Sequence, residues 1–106
     1  MQKFNIHKLG EGFTEPWSPI VAAESNDYIL REAKFDGEYF WHHHPNSDEL
    51  ILVVKGKINV QMKEGDVILE TGEGFTVPKG VNHCSKSVEP SVVLMFVPKN
   101  IETVKV

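Results

Sequence analysis

What most constrains this chain is its punctuation. β-favouring runs of a few residues each alternate with Gly, Pro, Asn and Asp: Ile20–Ala23, Tyr28–Phe35, Tyr39–His42, Glu49–Lys55, Lys57–Lys63, Asp66–Glu70, Phe75–Val77, Asn82–Ser87 and Ser91–Val97. Turn signals stand between several of them, at Asp36-Gly37, at Gly56 and at Glu64-Gly65, and each is expected to close an antiparallel hairpin. Helix has little room. Many short strands with tight turns predict a sandwich or a barrel, because only closure or double-sheet packing removes the exposed strand edges.

The chain has 106 residues, the size of one domain, and no repeat, linker or low-complexity stretch divides it; one domain over residues 1–106 is expected. Hydrophobic residues at 41% and charged residues at 25% are ordinary for a globular protein. A net charge of −4 with Arg31 as the sole arginine leaves no cluster for bidentate phosphate contacts, so nucleic acid is not an expected partner. No apolar run reaches the roughly 18 residues that a membrane helix needs, and Met1 to Gly10 is polar, so neither membrane insertion nor export is expected. The lone Cys84 has no partner for an internal disulfide. A cytoplasmic setting is the expectation.

Chemistry concentrates at the histidines. Four of the five fall in Trp41-His42-His43-His44-Pro45 and Asn82-His83-Cys84, and Glu49 opens the run after the first group. Strand alternation turns His42 and His44 to one face and His43 to the other. Imidazole nitrogen is the commonest biological ligand for first-row divalent metals, and a nearby carboxylate broadens the choice toward manganese and iron.

The spacing of these residues resembles the two motifs of the cupin superfamily. Gly37, His42-His43-His44, four residues, Glu49, six residues and Gly56 follow the first motif; Gly72, five residues, Pro78-Lys79-Gly80, two residues and His83 follow the second. The chain departs in having four residues where the first motif has five between Gly37 and His42, and Ser87 where the second ends in Asn. Neither is a ligand position. The resemblance implies an all-β double-stranded β-helix, or jelly-roll barrel, with His42, His44, Glu49 and His83 holding one divalent transition metal such as zinc, manganese, iron or nickel. Trp17-Ser18-Pro19, Ala33-Lys34-Phe35 and Trp41-His42 with Asp48-Glu49-Leu50 are similar to small single-domain cupins labelled mannose-6-phosphate isomerase-like.

By the same parity rule Phe40 is expected to face inward beside His42, and Ile51 and Val53 to share the face of Glu49, giving a mostly apolar pocket. Cys84, of opposite parity to His83, is expected as a small buried hydrophobe, and Trp41 as a packing residue between sheets or subunits. Gly72, Gly74 and Gly80 are read as turn glycines, with Pro78-Lys79-Gly80 positioning His83. Arg31, and beside it only Lys34, are the cations considered near the interior.

The expected function is a metalloenzyme acting on a small metal-chelating carboxylate, enol or sugar-like substrate, by dioxygenase, decarboxylase or isomerase-like chemistry in which Glu49 is the candidate catalytic group. The alternative is a non-catalytic small-ligand-binding or storage-type barrel with a structural metal. A homodimer is expected, because strands such as Ile51-Leu52-Val53-Val54 have two apolar faces and one interior to fill.

Overall fold

The computed structural model describes residues 2–106. A short helix α1 (Ile6–Glu11) is followed by β1 (Ile20–Ser25), β2 (Tyr28–Glu38), β3 (His42–His43), β4 (Glu49–Lys55), β5 (Lys57–Met62), β6 (Val67–Glu70), β7 (Gly74–Val77), β8 (His83–Pro98) and β9 (Val104–Lys105). All pairings between these strands are antiparallel, and together they build the expected jelly-roll barrel.

β8 is the spine. Its 16 residues join what the sequence divides into two runs, Asn82–Ser87 and Ser91–Val97. One edge carries β2, from Tyr28↔Pro98 to Glu38↔Lys86, and then β3 at His42↔His83. The other carries β4, from Leu50↔Phe96 to Lys55↔Val92, and then β5, from Asn59↔Lys86 to Met62↔His83.

Gly56 therefore does not close a hairpin: β4 and β5 run on in one direction along β8, and Gly56 is the corner between them. Its φ is +111°, and a Cβ placed there would lie 2.2 Å from Ser91 Oγ and 3.0 Å from Ser91 Cα. The corner is pinned by hydroxyls, with Ser87 Oγ and Ser91 Oγ donating to Lys57 O at 3.1 and 3.2 Å and Lys57 N donating back to Ser91 Oγ at 3.1 Å. Ser87, standing where the resembled motif has Asn, is thus a corner residue.

Asp36-Gly37 is not a hairpin turn either. Both residues lie inside β2, where Gly37 (φ +81°) sits at a register shift of the β2–β8 ladder, a bulge that kinks the strand. Glu64-Gly65 does close the expected hairpin: Gly65 N donates to Met62 O, and Asp66 accepts from Met62 N and Asn59 Nδ2. The β1–β2 hairpin turns instead at Asn26-Asp27, with Asn26 at φ +53°.

Inside the barrel, Ala33, Phe35, Ile51, Val53, Ile58, Val60, Val77 and Val93 form one buried cluster, so the alternation expected for Ile51 and Val53 holds. Outside, α1 lies against β2. Its sequence has little apolar periodicity to announce a helix; Asn5 caps it by accepting from His7 N and Lys8 N at 3.0 Å each. Beneath it Glu32, on the outer face of β2, is 0% exposed, and neither of its carboxylate oxygens has a hydrogen-bond partner. Burial alone raises its pKa from 4.5 to about 7.

Candidate metal centre

His42 and His83 are register partners across the β3–β8 ladder, which places their rings side by side with centroids 4.3 Å apart. β3 is only two residues long, so the expected strand Tyr39–His42 shrinks to its last residue, and His44 lies just beyond β3. His44 reaches the same point through other ties. Its carbonyl accepts from Gly80 N at 2.9 Å, which fastens the Pro78-Lys79-Gly80 turn to the histidine loop, and Asp48 Oδ1 accepts from Lys79 N at 2.8 Å. Glu49 opens β4 opposite Val77. One ligating atom from each of His42, His44, Glu49 and His83 lies within 4.8 Å of all the others.

The chain fixes the tautomer of all three rings. Nδ1–H of His42 donates to Phe40 O at 2.8 Å, that of His44 to Glu102 O at 2.9 Å, and that of His83 to Val81 O at 2.9 Å. A neutral imidazole that donates from Nδ1 keeps a lone pair on Nε2, the form that ligates metal. His83 Nε2 lies 3.3 Å and His44 Nε2 3.5 Å from Glu49 Oε1, and His44 Nε2 is buried with no hydrogen-bond partner. Electron-rich atoms brought this close out of water require a positive charge between them, whether protons or a cation. This donor set fits a divalent ion.

The electrostatics of the four groups point the same way. Burial works to raise the Glu49 carboxyl, but the hydrogen bonds and charges of His44 and His83 outweigh it and hold the group at about 2. For His44, burial opposes the charged form, yet Glu49 more than offsets that and the pKa is raised. His42 is pushed down to about 4, first by burial and then by the neighbouring His83 and His44 charges, which outweigh the Phe40 carbonyl and Glu49.

The cluster borders a cavity of about 100 Å³. Phe35, Ile51 and Met95 supply apolar wall, and Arg31, Tyr39, Ser85 and Thr103 supply the polar groups beside the cluster. Tyr39 takes the inward place expected for Phe40, because residues 39–41 are not in a strand and alternation does not govern them. Phe40 instead lies beneath Lys105 Nζ. Lys34, of the opposite parity to Arg31 on β2, does not line the cavity. His43 lies outside the converging group, Cys84 is fully buried as expected, and Trp41 is 39% exposed.

Trp17 and Pro19, from the Trp17-Ser18-Pro19 segment that no strand run covers, line the cavity. Trp17 Nε1 donates to Asp36 O at 3.0 Å, and its ring stacks on Tyr39 with centroids 4.8 Å apart. The C-terminal segment also contributes, with no motif to signal it: β9 pairs with β3, Asn46 Oδ1 accepts from Glu102 N, and Thr103 lies 3.3 Å from His44 Nδ1.

A family model described as a cupin domain matches residues 33–97. The uncharacterised protein YdbB of Bacillus subtilis (strain 168) is 40% identical over 101 residues, covering 94% of this chain and 89% of YdbB. The crystal structure of a cupin-2 domain containing protein from Shewanella frigidimarina superposes with a TM-score of 0.87 at 33% identity, covering 90% of this chain and 93% of that one. Hydroquinone 1,2-dioxygenase PnpCD, solved with Cd²⁺ and 4-hydroxybenzonitrile, gives a TM-score of 0.78 at 18% identity over 92% of this chain and 72% of its own, a likeness of fold.

Proposed function

This chain belongs to the cupin family, and on that footing we propose that it is a metalloenzyme in which His42, His44, Glu49 and His83 hold one divalent first-row ion beside a cavity for a small carboxylate or enol. The observation that carries the reading is the convergence of three tautomer-fixed imidazoles and one carboxylate on a cavity wall. When bound, zinc, manganese, iron or nickel would supply Lewis acidity toward a carbonyl or enol oxygen, and a redox-active ion would also serve dioxygen chemistry.

The residues of the chain do the rest. The three backbone carbonyls keep the rings oriented, and the apolar wall of Phe35, Ile51 and Met95 excludes water from one side of the substrate. Among the described residues Glu49 is the only carboxylate lining the cavity and therefore the candidate acid–base group. Decarboxylase or dioxygenase chemistry on a small carboxylate or enol fits this lining better than isomerisation of a phosphorylated sugar, for which a cavity of about 100 Å³ with one guanidinium is cramped. The likeness to mannose-6-phosphate isomerase-like cupins therefore carries less weight here than the site chemistry.

A second reading draws on one observation: outside the four converging residues, the described cavity lining includes no His, Asp or Glu to act as a separate base. A non-catalytic barrel that orients a small ligand on its metal has the same lining.

The test is metal analysis of protein purified without added metal, alongside His44→Ala and His43→Ala. The expected result is a near-stoichiometric ion in the parent chain, loss of most of it in His44→Ala and little change in His43→Ala. Equal losses in the two variants would refute the ligand assignment, and a parent chain that takes up no ion under any condition would refute the reading itself. Oxygen-uptake and carbon dioxide-release assays with the ion restored then separate the enzyme from the binding barrel.

A further inference from the structure

β2 presents Arg31, Ala33 and Phe35 to the cavity. Arg31 is partly buried in that inward-facing row, so its guanidinium is open both to water and to whatever occupies the cavity. No carboxylate among the described residues comes within 4.0 Å of Arg31. Glu49, the one acidic group on the described cavity wall, is instead engaged by His44 and His83.

The register explains the placement. Arg31 pairs with Met95 on β8, and Met95 pairs with Ile51 on β4, two residues beyond Glu49. At about 4.8 Å per strand, the Arg31 backbone stands roughly 10 Å across the barrel wall from that of Ile51, a span that a long guanidinium stem can partly bridge. Once a divalent ion is held with Glu49 as its only anionic ligand, the cavity has excess positive charge at two points, the ion and Arg31, with no anion among the described lining residues left to balance it.

We propose that Arg31 is the specificity-determining residue of this site and that its partner is the carboxylate of a small ligand whose second oxygen function faces the ion. The inference rests on the metal-site reading above. The guanidinium fork matches a carboxylate in geometry and charge, and a small chelating acid meets both positive points at once. Size narrows the class further. A cavity of about 100 Å³ lies at the small end of ligand pockets and favours a small ligand over a large one. Short 2-oxo or 2-hydroxy acids and single-ring hydroxy acids are of that size. The hydroxyls of Tyr39, Ser85 and Thr103 line the same cavity and are available to a ligand's remaining oxygens.

The experiment is calorimetric titration of the zinc-loaded full chain with 2-oxobutanoate and with salicylate, each against its neutral amide, in the parent chain, Arg31→Gln and Arg31→Lys. Zinc content is measured in every sample. The parent is expected to prefer an acid over its amide by at least about tenfold, the range of a charge-assisted hydrogen bond. Arg31→Gln should lose that preference with zinc content unchanged, and Arg31→Lys should keep part of it. A parent chain showing no preference in either pair overturns the proposal, as does a preference that survives intact in Arg31→Gln. Should Arg31→Gln fail to fold, Arg31→Lys decides: a preference undiminished from that of the parent also overturns it, because a point charge lacks the fork. A parent chain that holds no zinc fails at the metal analysis, and that outcome overturns the metal-site reading on which the role of Arg31 rests, before any ligand is added.

Discussion

At the scale of single residues, Glu32 is the group most out of keeping with its surroundings. It is buried beneath α1 with both oxygens unpartnered, and burial raises its pKa to about 7. Because the folded value lies above the unfolded one, the native state holds its proton more tightly, so this contribution to stability is complete below about pH 4.5 and is lost as the pH rises to about 7. With metal removed by chelator, the parent chain is expected to lose up to about 3 kcal/mol relative to Glu32→Gln between pH 5 and pH 8. Parallel melting-temperature profiles for the two proteins would show that the carboxyl is already paired or solvated. Nothing in the sequence distinguishes Glu32 from the other acidic residues, since its burial comes from a helix arriving from elsewhere. The ligands are legible because their spacing follows motif rules. Tyr39 is not, because residues 39–41 leave the strand and alternation lapses.

At the scale of elements, the barrel depends on corners more than on hairpins. Gly56 and Gly37 both have positive φ, but a Cβ at Gly56 would strike Ser91 at 2.2 Å whereas one at Gly37 would meet nothing within 4 Å. Gly37→Ala should therefore cost only the left-handed backbone penalty, about 1 kcal/mol, and Gly56→Ala at least about 2 kcal/mol more from the clash. Denaturant midpoints decide it: equal losses would mean that backbone conformation alone sets the cost. The strand runs themselves are largely readable from alternation and punctuation. What cannot be read is which glycine closes a hairpin, as Gly65 does, and which turns a continuing strand, as Gly56 does, because both produce the same local break and differ only in where the next run pairs: β6 folds back on β5, whereas β5 continues along β8. The short β9 is hidden for a related reason: two residues carry no period.

At the scale of the whole molecule, the outer face of the barrel remains apolar. Leu50, Phe96 and Leu30 form a row across three strands, with Tyr28 stacked on Phe96 at 5.4 Å and Leu50 42% exposed. The expected homodimer would cover this face. Sedimentation at micromolar concentration should give twice the 12.0 kDa mass, and Leu50→Lys should return it to one; a parent chain that sediments as a monomer ends the idea. The spine β8 has one more consequence, and it concerns time. A ribosome delivers His42, His44 and Glu49 well before His83; β2 can pair with β1, β4 with β7 and β5 with β6 as they emerge, but only residues 83–98 tie those pairs together. The nascent chain can therefore neither close its barrel nor assemble its ligand set until β8 has cleared the exit tunnel. Completion in the cell is a late, nearly simultaneous event in which sheet closure and ligand assembly share a single step, the slow, long-range kind that high contact order imposes.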